Sequence, residues 1–125
     1  MSRMVYANFT LRPKPPSVKI PDGALKDFCT IWNHEYEGYT DNAPSLEKNF
    51  ANDGQYIYAR ADVGRDFDPA FLTPFMMANP DLQMEIIEED YDSDRRCRYL
   101  LEGDVIESLR EVRYFEEPQI IDWPD

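Results

Sequence analysis

Leu25, Phe28, Cys29, Trp32 and Tyr36 recur at i, i+3, i+4, i+7 and i+11, the spacing of one apolar stripe on an α-helix. On both sides of this segment the apolar residues switch to period two. Val5, Ala7, Phe9 and Leu11 alternate with Tyr6, Asn8 and Thr10 before it, and Ile57, Ala59, Ala61 and Val63 alternate with Tyr56, Tyr58, Arg60 and Asp62 after it. Period two puts one face of a strand inside and the other outside. A chain that changes period in this way has to lay a helix on a sheet.

The spacing predicts a strand from Met4 to Leu11, a helix from Asp22 to Tyr36 with Asp22 as its cap, and a strand from Gln55 to Val63. Arg12-Pro13-Lys14-Pro15-Pro16 is expected to be a stiff extended connection, in preference to a ligand of the PxxP type. Glu37 to Ala43 reads as loop, and Ser45 to Lys48 as a short helical turn ended by Asn52-Asp53-Gly54. Asp68 caps a short helix with Pro69 at its first position; Phe71, Leu72, Phe75 and Met76 share a face, and Pro74 should kink or split it.

The last third predicts a β-meander. Leu82 to Glu89 alternates, an acidic turn follows at Asp90 to Asp94, and Arg95 to Glu102 returns. Pairing Ile87 with Leu100 and Glu89 with Arg98 would match apolar to apolar and acid to base. Gly103-Asp104 signals a second hairpin and a strand from Val105 to about Phe115; the rival is a helix capped by Asp104 with Glu107 as its capping-box partner. The expected class is α+β, a single domain in the order β-α-β-α-β-β-β with two helices on one face of an antiparallel sheet, a ferredoxin-like sandwich, followed by an extended C-terminal tail at 116–125.

The segments Asn79-Pro80-Asp81-Leu82-Gln83-Met84-Glu85, Glu88-Glu89-Asp90 and Glu102-Gly103-Asp104-Val105-Ile106-Glu107 resemble the ferredoxin-like part of small YubB-type proteins of plasmids and phages. The likeness covers Gln55 to Phe115. It implies an origin in a mobile element and carries no known activity, so it assigns no functional residue.

Charge narrows the partner classes. The chain has a formal net charge of −12, and residues 1–21 hold Arg3, Arg12, Lys14 and Lys19 with no acid, so all 25 Asp and Glu lie beyond them. Such a field repels nucleic acid and anionic membrane and attracts basic protein surfaces. The expectation is therefore no direct nucleic acid and no membrane. With 42 % apolar residues the chain still has enough to build a core. Cys29 and Cys97 make no disulfide framework, and without a signal-peptide pattern a reducing host cytoplasm is expected.

No cofactor or catalytic signature stands beside the charge. Asp90, Asp92 and Asp94 have the oxygen spacing that opens a calcium loop, but its sixth and twelfth places hold Arg95 and Leu101 instead of Gly and Glu. Cys29 and His34 are five residues apart, about 140° around a helix, so they point away from each other. One His and two Cys give no zinc spacing, and the five glycines are scattered. Arg95, Arg96 and Arg98 are expected to pair with Glu85, Glu88 and Glu89 across the hairpin rather than read nucleic acid.

What remains is acid interleaved with aromatics. Glu88, Glu89, Asp90, Asp92 and Asp94 crowd one hairpin end, Glu35, Glu37 and Asp41 flank Tyr36 and Tyr39, and acids surround Ile120, Ile121 and Trp123. These are the candidate partner-binding residues. The reading is a non-catalytic inhibitor, a DNA mimic of phage or plasmid origin that occupies the basic groove of a host nucleic-acid-binding defence complex, either CRISPR (an anti-CRISPR) or restriction. The alternatives are a regulatory or structural adaptor that binds through its tail, and a small enzyme with an unrecognised carboxylate site. The tail itself must pack on its own domain, on a second copy in a homodimer, or on the partner.

Overall fold

The structure is a computed structural model, and it describes residues 5–49, 53–64, 66–92 and 95–112. Its elements run β1 (Val5–Pro13), α1 (Ala24–Tyr36), β2 (Thr40–Asn49), β3 (Gly54–Asp62), a 3-10 turn (Pro69–Leu72), α2 (Thr73–Ala78), β4 (Leu82–Asp90), β5 (Arg95–Glu102) and β6 (Val105–Val112). The six strands form one antiparallel sheet in the order β2-β3-β1-β4-β5-β6.

The alternation in the sequence becomes the two faces of this sheet. Val5, Ala7, Phe9 and Leu11 of β1, Ile57, Ala59 and Ala61 of β3, Leu82, Met84 and Ile86 of β4, and Cys97, Tyr99 and Leu101 of β5 are all buried beneath the helices. The helices answer with Ala24, Phe28, Trp32 and Tyr36 from α1 and Phe75 and Met76 from α2. Phe9 meets Trp32 edge to face at 5.0 Å, and Phe28 stacks on Phe75 at 5.6 Å. Burying each such large side chain stabilises the fold by roughly 1.5–3 kcal/mol. Trp32 also donates its Nε1–H to Thr40 Oγ1 at 2.8 Å, which ties α1 to the start of β2.

No element among the described residues covers the other face. Across the strands it reads Arg60, Asn8, Ile87, Arg98, Leu109 in one row and Tyr58, Thr10, Glu85, Leu100, Glu107 in the next.

Several sequence expectations change. The order β-α-β-α-β-β-β lacks a strand: Thr40–Asn49, read as loop and helical turn, is an edge strand. It pairs only with β3, through two register shifts, and Pro44 is its single buried residue, so it has no alternation to detect. Asp22 is not the cap of α1. Gly23 takes that place at φ 84°, with no side-chain cap bond, and the helix starts at Ala24. The β4–β5 register pairs Ile87 with Arg98, Glu89 with Arg96 and Glu85 with Leu100, two residues from the expected pairing. A two-residue slip keeps every side chain on its predicted face, so the hydrophobic pattern cannot detect it. Val105–Val112 is the strand, not the helix. Asp68 caps the 3-10 turn by accepting from Ala70 N–H at 2.9 Å, and Pro74 lies in the first turn of α2, where a proline is tolerated.

Candidate functional site

Antiparallel pairing collects distant parts of the chain at one end of the sheet. Tyr6 near the start of β1 lies opposite Asp62 at the end of β3 and Glu89 near the end of β4, while Asp90 pairs with Arg95. The α1–β2 connection joins them, because Asp62 N–H donates to the Tyr39 carbonyl at 3.0 Å and Val63 N–H to that of Val5 at 2.9 Å. The two acidic groups recognised separately in the sequence, one around Tyr39 and one on the β4–β5 turn, therefore share this end.

Arg60 links them. Its Nε approaches Asp41 Oδ2 at 3.3 Å, its Nη1 donates to Asn8 Oδ1 at 3.1 Å, and its guanidinium carbon stands 4.8 Å from the centre of the Tyr6 ring. Tyr6 in turn meets Tyr91 edge to face at 5.8 Å. Tyr58 donates its hydroxyl to the same Asn8 Oδ1 at 2.8 Å. Burial works against the Arg60 charge, but the hydrogen bond and field of Tyr91, together with Asp41 and Tyr58, outweigh it and hold the guanidinium pKa above its ordinary value. Asp41 and Tyr91 are thus both held by one cation.

The candidate residues fall into distinct places. Tyr39 and Tyr91 keep 51 % and 50 % of their surface exposed, so each presents about half of itself to a partner. Glu35, Glu37, Asp41 and Asp92 are exposed. Asp90 is half-buried and its Oδ1 accepts from Asp92 N–H at 3.0 Å, which shapes the turn. Glu89 is half-buried on the open face opposite Arg96. Glu88 points the other way, on the helix-bearing side, and accepts from the Tyr99 hydroxyl at 3.3 Å. Tyr36 is a correction: it is 6 % exposed and packs on Trp32 at 4.8 Å, so it is a core residue and not a surface anchor. It belongs to the helix stripe, and its acidic neighbours in sequence lie on other sides of that helix. Asp94 and Trp123 lie outside the described residues.

Sequence reading missed Arg60, Tyr6, Asp62 and Tyr91. Tyr6, Arg60 and Asp62 were present as the outward half of the β1 and β3 alternation and Tyr91 within the acidic turn, but only the strand order shows that the four meet. The basic cluster divides: Arg98 Nε pairs with Glu85 Oε2 at 3.0 Å, with side chains 12 % and 15 % exposed, as a cross-strand ion pair. Glu85 takes the role expected of Glu89 because of the register change.

Cys29 is half-buried, its Sγ faces the Pro44 carbonyl at 3.9 Å, and burial pushes its thiol pKa up, whereas His34 is exposed on the polar side of α1. Among the described residues no group of three His, Cys, Asp or Glu could hold a metal ion, and no helix is long and apolar enough to cross a membrane. Comparison with protein families, with curated proteins and with solved structures gives no match.

Proposed function

We propose that this chain is a non-catalytic inhibitor that places the acidic end of its sheet in the basic nucleic-acid groove of a host defence complex of the CRISPR or restriction class. The observation that carries the reading is the convergence of Glu37, Tyr39 and Asp41 with Asp90, Tyr91 and Asp92 at one end of a rigid sheet. Carboxylates there stand in for phosphates toward Lys and Arg, and the two open tyrosine rings supply flat contact area and cation–π partners. A net charge of −12 speeds the encounter with a basic groove. The first four strands with their two helices are read as a ferredoxin-like unit, order β2-β3-β1-β4, extended by the β5–β6 hairpin. With the YubB-type likeness of the second half, this reading gives the chain a phage or plasmid origin and a place of action in the host cytoplasm.

The test is inhibition of DNA loading on purified CRISPR and restriction complexes. The native chain is expected to block loading by at least one of them, and a variant carrying Asp41→Asn, Asp90→Asn and Asp92→Asn to lose the block while its melting temperature falls by no more than about 4 °C, the share of the screened Asp41–Arg60 pair. Retardation of DNA or RNA by the chain itself at about 50 mM salt, where non-specific attraction is strong, would refute the reading.

A further inference from the structure

The two edges of the sheet differ. β2 is blunted, because it meets β3 through two register shifts and carries Pro44 and Lys48, devices that keep an edge from pairing again. β6 has no such protection. Its register with β5 runs unbroken from Val105 to Val112, it holds no proline, and no strand among the described residues lies beyond it. Val105 and Leu109 stand on its open-face side and are 53 % and 54 % exposed, while Ile106 on the other side packs against the core. A long, regular edge with exposed apolar residues is a template for another strand.

The hairpin fixes which backbone groups this edge offers. Gly103-Asp104 is a two-residue turn with Gly103 at φ 58°, so Glu102 and Val105 exchange both of their backbone hydrogen bonds. By alternation Val105, Glu107 and Leu109 bond to β5, and Ile106 and Ser108 aim their N–H and C=O groups outward.

The strand that suits this edge is β6 of a second copy. Antiparallel pairing about a two-fold axis at Ser108 sets Glu107 opposite Leu109 and Ile106 opposite Arg110, so no two like charges stand directly opposite. Val105 and Leu109 of one copy then lie diagonal to Leu109 of the other, a spacing that long side chains bridge. Registers centred on Glu107 or Leu109 instead oppose Glu107 to itself or to Glu111, which is destabilising. The same axis suits a chain with a net charge of −12. β6 starts at the turn whose Glu102 is paired with Lys14 and ends beside the β4–β5 turn, so the two acidic ends point in opposite directions.

We propose that two copies of this chain pair through β6, antiparallel and centred on Ser108, to make one continuous sheet. The interface is isologous, so it closes at two copies, and the protected β2 strands form the outer edges. The dimer leaves both acidic ends open and does not depend on what they bind.

Sedimentation velocity of the full chain from about 1 to 100 µM is expected to show a reversible monomer–dimer equilibrium. Leu109→Glu puts a like charge opposite Glu107 twice in each dimer and is expected to raise the dimer Kd at least about tenfold. Adding Glu107→Lys turns both contacts into opposite-charge pairs and is expected to return the Kd to within about threefold of the native value. Ser108→Cys replaces an exposed residue on the axis and is expected to form an intermolecular disulfide under mild oxidation that the native chain does not form. A native chain that stays monomeric across the range overturns the proposal. So does a dimer indifferent to Leu109→Glu, or one that the charge exchange fails to restore, because either puts the interface elsewhere. Failure of Ser108→Cys to cross-link overturns it independently, so the outcome does not hang on the folding of the charge variants.

Discussion

Replacing Arg60 by Met removes a cation that joins the two halves of the acidic end while keeping a stem that can rest on Tyr6. Four interactions are lost, the hydrogen bond with Tyr91 among them, so the sum of the other three is a lower bound. The ion pair to Asp41 at 3.3 Å joins side chains 28 % and 43 % exposed, so solvent screens it and it contributes about 0.2–1 kcal/mol. The cation over Tyr6 at 4.8 Å contributes about 0.5–1 kcal/mol at a partly exposed site. The bond to Asn8 at 3.1 Å is charge-assisted but has a companion, because Tyr58 still donates to Asn8, so its loss costs about 1 kcal/mol. That sum is about 2 kcal/mol, equivalent to a fall of about 8 °C in melting temperature for a chain of this size. Arg60→Lys is expected to recover less than half, because an ammonium cannot face the ring, Asp41 and Asn8 together. Urea titration with calorimetry measures both variants. A fall under about 2 °C for Arg60→Met, or full recovery by lysine, would show that the guanidinium geometry does not organise this end.

Two further outcomes follow from particular contacts. Glu85→Ala leaves Arg98 in a largely enclosed position and is expected to destabilise by about 3 kcal/mol, whereas the double replacement of Glu85 and Arg98 by Met is expected to restore most of it, because removing both charges also removes their desolvation cost; urea titrations that show the double variant worse than the single one would contradict this. Tyr99 is buried beside Cys97 and Glu88, and burial first, then these neighbours, raises its pKa above the ordinary tyrosine value of about 10. The stability due to its neutral hydroxyl is fully present below pH about 10 and is lost as pH rises beyond, where the unfolded chain releases the proton first. Tyr99→Phe is accordingly expected to flatten the loss of stability between about pH 10 and 11.5, and an unchanged alkaline slope in pH-dependent melts would contradict the assignment.

The parts of the fold with strong periodicity were legible because burial on one side leaves a pattern in the sequence. The stripe from Phe28 to Tyr36 and the inward residues of β1, β3 and β4 are where the alternation puts them. β2 was not legible: an edge strand with bulges and one buried proline has almost no inward side for selection of apolar residues to act upon. The β4–β5 register was half legible, since parity follows from the hydrophobic face but a slip of two does not disturb it. At the site, the exposed acids were legible as composition, and their convergence was not. It depends on β3 and β4 flanking β1, which brings residue 6 between residues 62 and 89. Tyr36 shows the limit of local reading: acidic neighbours in sequence suggested a surface position, while its place on the helix stripe put it in the core.

The central claim is that the acidic end and nucleic acid compete for one groove, and a competition titration tests it most directly. A defence complex that the chain inhibits is held at fixed concentration with labelled chain, and unlabelled target DNA is added. Competition for one groove predicts that DNA displaces the chain completely, that the apparent Kd for the chain rises in proportion to free DNA, and that affinity falls steeply between about 50 and 200 mM salt. A stable ternary complex of chain, defence complex and DNA, with an apparent Kd indifferent to DNA, would contradict the account.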